Sequence, residues 1–261
     1  MTTLVRVELL KLRTTRLTFG LLGTAIGLTV LFSILEASLA GTAGNAPLPT
    51  PAGLDAVITG GIWSLLFAAI AGVTMSSGEF RHATATATYL AEPARGRVLT
   101  AKAVAAAGAG AVFGLAGWLI STGVGLGFLA AQGARVPVSA ATIARYGAGH
   151  LIAGALLAAI GVCLGSLVRS QLAAVLGILL WSVVVESVIG GLFHPVQPYL
   201  PYTAATTLAG STLGGAAFGP AHGVSSSASP LPFAAATALL AAVAIVTGWI
   251  AARTTVGRDV S

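Results

Sequence analysis

The sequence predicts an all-α polytopic membrane protein with six transmembrane helices and both termini in the cytoplasm. Of its 261 residues, 56% are hydrophobic and only 8% are charged, whereas soluble domains carry about 25% charged residues. Apolar runs long enough to cross a bilayer recur along the chain. Basic residues concentrate in alternate polar segments between these runs, as expected if cytoplasmic loops retain lysine and arginine.

Six apolar runs define the predicted spans, and each is long enough at 1.5 Å per residue to cross about 30 Å of hydrocarbon. With both termini inside, eleven of the thirteen lysines and arginines are cytoplasmic, while Arg135 and Arg145 are extracytoplasmic. The reversed orientation inverts that ratio, so the charge distribution favours this one. The predicted spans are about 17–39, 57–75, 103–131, 150–168, 171–193 and 231–252.

Residues 1–16, MTTLVRVELLKLRTTR, predict an amphipathic helix that lies on the inner membrane surface. Apolar residues such as Leu9 recur near helical spacing, and basic residues such as Lys11 and Arg13 supply a polar face. The alternative is that these residues are only the charged start of the first span. The sequence leaves both interpretations open.

The predicted cytoplasmic loop after the second span is 76–102, SSGEFRHATATATYLAEPARGRVLTAK. It carries four of the thirteen basic residues and two of the seven acidic residues of the chain. Because the apolar segments on either side of this loop are almost uncharged, we expect the loop to be where a membrane-buried protein meets a soluble partner. The preceding loop, 40–56, contains no lysine or arginine and is predicted to lie outside.

The third predicted span is rich in glycine. Gly110 and Gly114 are four residues apart, as are Gly123 and Gly127, so each pair shares one helix face. Small residues on one face allow a second helix to approach closely. Close packing within the chain is the first interpretation, and a dimer interface is the alternative.

Glu186 lies within the fifth span, in the run WSVVVESVIGG. A carboxylate at membrane depth is costly and usually faces a bundle interior or a water-filled cavity. One interpretation is therefore a residue of a transport pathway. The other is a residue at the end of the helix that reaches the outer interface, since His194 and Pro195 follow shortly after.

The segment 194–230 contains no lysine, arginine, aspartate or glutamate, and its middle, 203–219, is mildly apolar. A seventh span there would place Arg253 and Arg258 outside. We therefore expect short re-entrant or surface helices packed on protein, because irregular backbone at membrane depth must be covered.

The sequence contains no P-loop, no HExxH, no nucleophile elbow and no dense acidic site. The histidines at 82, 150, 194 and 222 are scattered over both predicted sides of the membrane, and Cys163 is the single cysteine. We therefore predict no metal, no cofactor of its own and no enzymatic activity. The net charge of +6 is explained by topology, so we predict no nucleic-acid partner.

Two stretches, ELLKLRTTR and GEFRHATATATYLAEPARGRVLTAK, occur in a chain with a basic N-terminus, six spans and a long outer segment before the last span. This pattern resembles the permease subunits of ABC-2 type transporters, in the form common in actinobacteria, and the resemblance covers essentially the whole chain. It implies one transmembrane permease domain, 1–261, in the bacterial cytoplasmic membrane. It also implies two partners: a separate ABC ATPase subunit that binds ATP, and a second permease copy or relative.

The resemblance further implies a coupling helix in the loop after span two, seated in a groove of the ATPase. A helix over Thr84 to Ala91 would end before Pro93, which suits the start of the next helix. Thr86, Tyr89 and Leu90 would then share a face. Tyr89 is the residue expected to insert into the partner.

Charged residues flank this predicted coupling helix. Glu79 and Arg81 lie where span two leaves the membrane, and they pair either with the N-terminal helix or with the ATPase. For Arg95, Arg97 and Lys102, lipid phosphates are the expected partners.

The resulting expectation is ATP-driven export of an amphiphilic, peptide or drug-like compound. Two other classes of protein stay open: a membrane scaffold or sensor without transport, and a membrane-embedded enzyme that uses Glu186 or the histidines.

Overall fold

The structure, a computed structural model of the chain, describes residues 1–42, 44–81, 90, 92, 94–168, 170–211 and 229–254, and only the backbone of Phe80 and Arg81. Within these ranges the regular structure is entirely helical. The α-helices are α1 (Thr2–Thr14), α2 (Arg16–Leu39), α3 (Pro51–Thr59), α4 (Ile62–Arg81), α5 (Arg95–Ala131), α6 (Ala140–Leu167), α7 (Gln171–Leu179), α8 (Glu186–Leu192), α9 (Pro201–Leu208) and α10 (Phe233–Thr254). A π-helical turn, Leu180–Val185, joins α7 to α8, and a 3-10 helix, His194–Tyr199, precedes α9.

Six helical segments of the described chain are long and apolar enough to cross a membrane. This confirms the helical, six-span part of the prediction. The six segments are Arg16–Leu39, Pro51–Glu79, Arg95–Ala131, Ala140–Leu167, Gln171–Leu192 and Phe233–Thr254.

Several helices begin earlier than the apolar runs indicated, because local capping and tertiary contacts extend them. Helix α6 begins at Ala140 instead of about 150, since the Ser139 hydroxyl accepts a hydrogen bond from the Thr142 amide. Helix α3 begins at Pro51, where Thr50 caps the Gly53 amide. Helix α1 is separate from the first span, because Thr15 adopts an extended conformation between the two helices.

The second span lies at the centre of the bundle. In its most apolar stretch of 18 residues, 83% of the residues are buried, compared with 17% in the corresponding stretch of α2 and 11% in that of α10. Helix α4 packs against α2, α5, α6 and α7, and α5 packs along α6. The outer helices α2, α7 and α10 therefore present large apolar side chains to their surroundings, as lipid-facing helices do.

Glycines bring the central helix backbones into close approach. A Cβ on Gly110 would overlap the Gly154 carbonyl, and a Cβ on Gly114 would overlap the His150 carbonyl. The Gly110/Gly114 pair thus packs within the chain, as the first interpretation of the sequence held. For Gly123 and Gly127, no described atom lies within 4 Å of the position of a Cβ, so this pair makes no close crossing here.

The chain after span five folds back onto the bundle. Helix α9 is largely buried and packs against α6 and α10. A Cβ on Gly149 of α6 would overlap the Leu208 carbonyl, so the α9 backbone touches the bundle directly. A short helix covered by protein was predicted here, and the structure contains one; residues 212–228 lie outside the described part of the chain.

Replacing Gly154 by alanine tests the close crossing of α5 and α6. The added Cβ meets the Gly110 carbonyl, and overpacking of this kind costs about 1–3 kcal/mol of the free energy of unfolding. The control is Gly108→Ala on α5, where a Cβ meets no described atom within 4 Å and helix propensity favours alanine by up to about 1 kcal/mol. Unfolding by SDS titration in mixed micelles measures both; equal stability of the two variants would contradict the crossing.

Candidate functional site

Four charged side chains from three helices meet at the end of the bundle that carries α1. Lys102 of α5 donates to Glu8 Oε2 of α1 at 3.1 Å and to Glu79 Oε1 of α4. Lys11 donates to Glu8 Oε1 and to Glu79 Oε1, each at 2.8 Å. We call Glu8, Lys11, Glu79 and Lys102 the charge cluster.

Helix geometry brings these residues together. Glu8 and Lys11 are three residues apart and share one face of α1, which packs on α5. Glu79 lies in the last turn of α4, and Lys102 lies two turns into α5. The cluster contains two carboxylates and two ammonium groups, so its charges are balanced, as buried ionic groups require.

The expectation that Lys102 contacts lipid phosphates is wrong. Its side chain is buried, with 3% of the residue exposed. The reason is that α5 begins at Arg95, so Lys102 belongs to the packed part of the helix. Arg97 is largely exposed and approaches Glu92 at 3.5 Å, and lipid contact by Arg95 and Arg97 stays a prediction.

Lys11 is the solvent-facing member of the cluster, with 43% of its side chain exposed. Partial burial lowers the pKa of this ammonium, but the hydrogen bonds to Glu79 and Glu8 and the negative charges of both carboxylates together outweigh burial and raise the pKa above its usual value. Lys11 is therefore charged at neutral pH and holds both carboxylates.

The predicted coupling loop begins and ends beside the charge cluster. Arg81 is the last residue of α4, and Leu90, on the loop, is 80% exposed. Thr84, Thr86 and Tyr89 lie outside the described residues, so their predicted shared face stays a prediction. Of the two partners considered for Glu79, the structure shows the N-terminal helix, through Lys11.

Glu186 forms a second buried polar site, between the fifth span and α9. Its Oε1 accepts hydrogen bonds from the Trp181 indole at 2.9 Å and the Tyr202 amide at 2.8 Å. Its Oε2 accepts from the Thr203 amide at 2.8 Å and the Thr203 hydroxyl at 3.1 Å. The residue is 2% exposed, so it is covered by protein, and its depth in the membrane stays a prediction.

The Glu186 carboxylate caps the first turn of α9. Amide groups there have no partner inside the helix, and a carboxylate satisfies them and complements the helix dipole. The π-helical turn Leu180–Val185 immediately precedes Glu186. The structure therefore shows an anchoring role for Glu186, and a role in a transport pathway stays a prediction.

Two of the four histidines lie in the described part of the chain. His150 is fully buried in α6, and His194 starts the 3-10 helix, while His82 and His222 lie outside the described residues. No group of three or more His, Cys, Asp or Glu among the residues that the structure describes is arranged to hold a metal ion.

Sequence reasoning missed the charge cluster as a unit and missed Glu8 as a site residue. The available signal was a glutamate three residues before a lysine on a helix that otherwise carries only basic charge.

Comparison of the chain with protein-family models and with curated proteins gives no match.

Replacing Lys102 by methionine tests the charge cluster. Glu8 and Glu79 then share only Lys11, and removing one partner of a buried ion pair costs about 3–5 kcal/mol of stability. The control is Arg97→Met, because exposed pairs contribute about 0–1 kcal/mol. Adding Glu79→Gln to Lys102→Met removes the unpaired charge and is expected to restore part of the loss. Equal unfolding midpoints for Lys102→Met and Arg97→Met would exclude a stabilising cluster.

Replacing Glu186 by glutamine tests the anchor of α9. Glutamine keeps one acceptor oxygen and points an NH2 group at N–H donors, so we expect a loss of about 1–3 kcal/mol. Glu36→Gln on α2 is the control, because Glu36 makes no side-chain hydrogen bond to any described residue. Thermal unfolding in detergent measures both variants. An unchanged Glu186→Gln midpoint would contradict the anchoring role.

Proposed function

We propose that this chain is the membrane-spanning subunit of an ATP-driven ABC transporter, similar to ABC-2 type permeases. The observation that supports the proposal is the connection between the loop after span two and the charge cluster. This loop is continuous with α4 and α5, the helices that carry Glu79 and Lys102, and both residues bind Glu8 or Lys11 of α1.

A force applied to this loop would move three elements together. Each helix contributes at least one charged group to the cluster, and separating any of them leaves a buried charge without its partner. A partner that binds the loop through Leu90 and its neighbours would therefore displace α1, α4 and α5 as one unit. Because α4 is the central helix, that displacement would reach the remaining spans.

In the proposed mechanism the energy comes from a separate ATPase subunit, which binds ATP. Closure of the ATPase moves the loop, and the spans of two paired permeases open toward the outside. The charge cluster then lies on the cytoplasmic side, in agreement with the positive-inside rule. The proposed location is the bacterial cytoplasmic membrane.

The proposed cargo is an amphiphilic, peptide or drug-like compound. The described spans carry few ionised side chains, and the buried ones, Glu186 and Lys102, are engaged within the protein. A route between such spans offers few fixed charges to bind an ion or a highly polar sugar.

Replacing both Tyr89 and Leu90 by alanine tests the proposed coupling surface. The permease is co-expressed with its chromosomal neighbours, purified with the ATPase that binds it, reconstituted in vesicles, and assayed for substrate-stimulated ATP hydrolysis. We expect at least a tenfold loss, because buried aromatic and aliphatic anchors contribute about 2 kcal/mol or more to an interface. The control is Leu192→Ala, which removes a leucine with 70% exposure from the end of α8.

Two outcomes would count against the proposal. Unchanged ATP hydrolysis in the double variant would contradict the assignment of Tyr89 and Leu90 to the coupling surface. Failure of any ATPase to co-purify with the chain, when it is expressed with its chromosomal neighbours, would favour a scaffold or sensor instead.

A further inference from the structure

Helix α1 has two opposite faces of different chemistry. Its inward face carries Glu8, which is 4% exposed and bonds to Lys102 of α5. Because one residue corresponds to about 100° of rotation around a helix axis, Leu10 points to nearly the opposite side from Glu8. Leu10 is 61% exposed, so it lies on the outward face of α1.

The outward face of α1 carries positive charge and no negative charge. Arg6 lies four residues before Leu10 and Arg13 three residues after it, so the three share this face. Both arginines are exposed, and neither makes an ion pair or a hydrogen bond with any residue that the structure describes. Glu8 is the single acidic residue between Met1 and Leu35, and it is neutralised within the charge cluster. The charge of the two arginines is therefore uncompensated.

Exposed apolar side chains lie beside these arginines. Val7 and Leu9 flank Leu10 and are 46% and 40% exposed. Thr15 alone separates α1 from α2, and α2 is long and apolar enough to cross a membrane. The outward face of α1 therefore lies next to the boundary of the membrane, where helices with arginines and exposed apolar residues rest in the headgroup region.

We propose that the outward face of α1 binds the headgroups of anionic phospholipids through Arg6 and Arg13. A guanidinium group donates two parallel hydrogen bonds to phosphate oxygens, and a basic residue near an anionic membrane surface strengthens the attraction. Leu10 contacts the acyl chains while the arginine stems extend along them to the phosphates. A zwitterionic headgroup brings its own cation, so it leaves the arginine charge uncompensated.

A membrane fits this face better than an acidic protein does. The same bilayer that surrounds α2 reaches α1 after one residue, and it covers the apolar side chains and the arginines together. An acidic protein would have to displace lipid from Val7, Leu9 and Leu10 before it reached the two guanidinium groups. The inference does not depend on the proposed transport function.

Native mass spectrometry of the full chain in detergent micelles tests this surface. The chain is titrated with phosphatidylglycerol and with phosphatidylcholine of the same acyl chains, and we expect tighter binding of phosphatidylglycerol. Each arginine strengthens binding of an anionic lipid about fivefold. The double variant Arg6→Gln, Arg13→Gln should therefore bind phosphatidylglycerol about 25-fold more weakly and phosphatidylcholine equally well. Equal affinity of the unmodified chain for both lipids overturns the proposal.

The variant Arg135→Gln is the matched control for Arg13→Gln. Arg135 is exposed, lies between α5 and α6, and makes no ion pair with a described residue. We expect Arg135→Gln to keep the affinity of the unmodified chain for phosphatidylglycerol, while Arg13→Gln loses about fivefold. An equal loss in the two variants reports attraction to the net charge alone and overturns the assignment to α1.

Two further probes separate a lipid from other anions. Glycerol 3-phosphate carries the phosphate without acyl chains, so we expect that it does not displace phosphatidylglycerol at equal concentration. Displacement by this probe shows an anion site without a lipid requirement and overturns the docking surface. Polyglutamate represents an acidic protein, and tighter binding of polyglutamate than of phosphatidylglycerol, lost with Arg6 and Arg13, overturns the proposal in favour of a protein partner.

Discussion

Close contact between helix backbones is the constraint on which the rest of the bundle depends. Inside a bilayer, lipid tails are as apolar as leucine, so helices associate through packing and hydrogen bonds more than through hydrophobic burial. Here α5 meets α6 through Gly110 and Gly114, and Gly72 of α4 meets the Ala158 carbonyl of α6. These crossings leave no room for side chains, and they fix how closely α4, α5 and α6 lie against one another.

Polar contacts fix the helices that these backbone crossings do not include, such as α1 and α9. The charge cluster ties α1 to α4 and α5 at one end of the bundle, and Glu186 ties α9 to the fifth span near the other. The Tyr202 hydroxyl adds a bond to the Ile62 carbonyl at 3.2 Å, so α9 also touches the start of α4. Each contact is buried or partly buried, and each would leave an unsatisfied charge or donor if it opened.

The apolar runs predicted the six spans because length and composition alone decide which segments can cross a membrane. The partners of the charged residues could not be predicted from the sequence. Lys102 binds Glu8, 94 residues away in sequence, and such pairing depends on how helices pack and not on local pattern. Glu186 was flagged by its cost at membrane depth, yet its role as a cap required knowledge of where α9 begins. The break at Gly60 and Gly61 was equally hidden, since the apolar run continues through it.

The π-helical turn in the fifth span also decides where the length of this span can change. One residue corresponds to about 100° of rotation around an α-helix axis, and a π turn holds one residue more than a regular α-helical turn does. Deleting a single residue within Leu180–Val185 would therefore restore an ordinary helical turn and leave α8 facing almost the same way. Deleting a residue of α7 with the π turn intact would instead rotate α8 by about 100°, and Glu186 would point away from the amides of Tyr202 and Thr203. The π turn is thus the place where this span can lose a residue and keep its anchor.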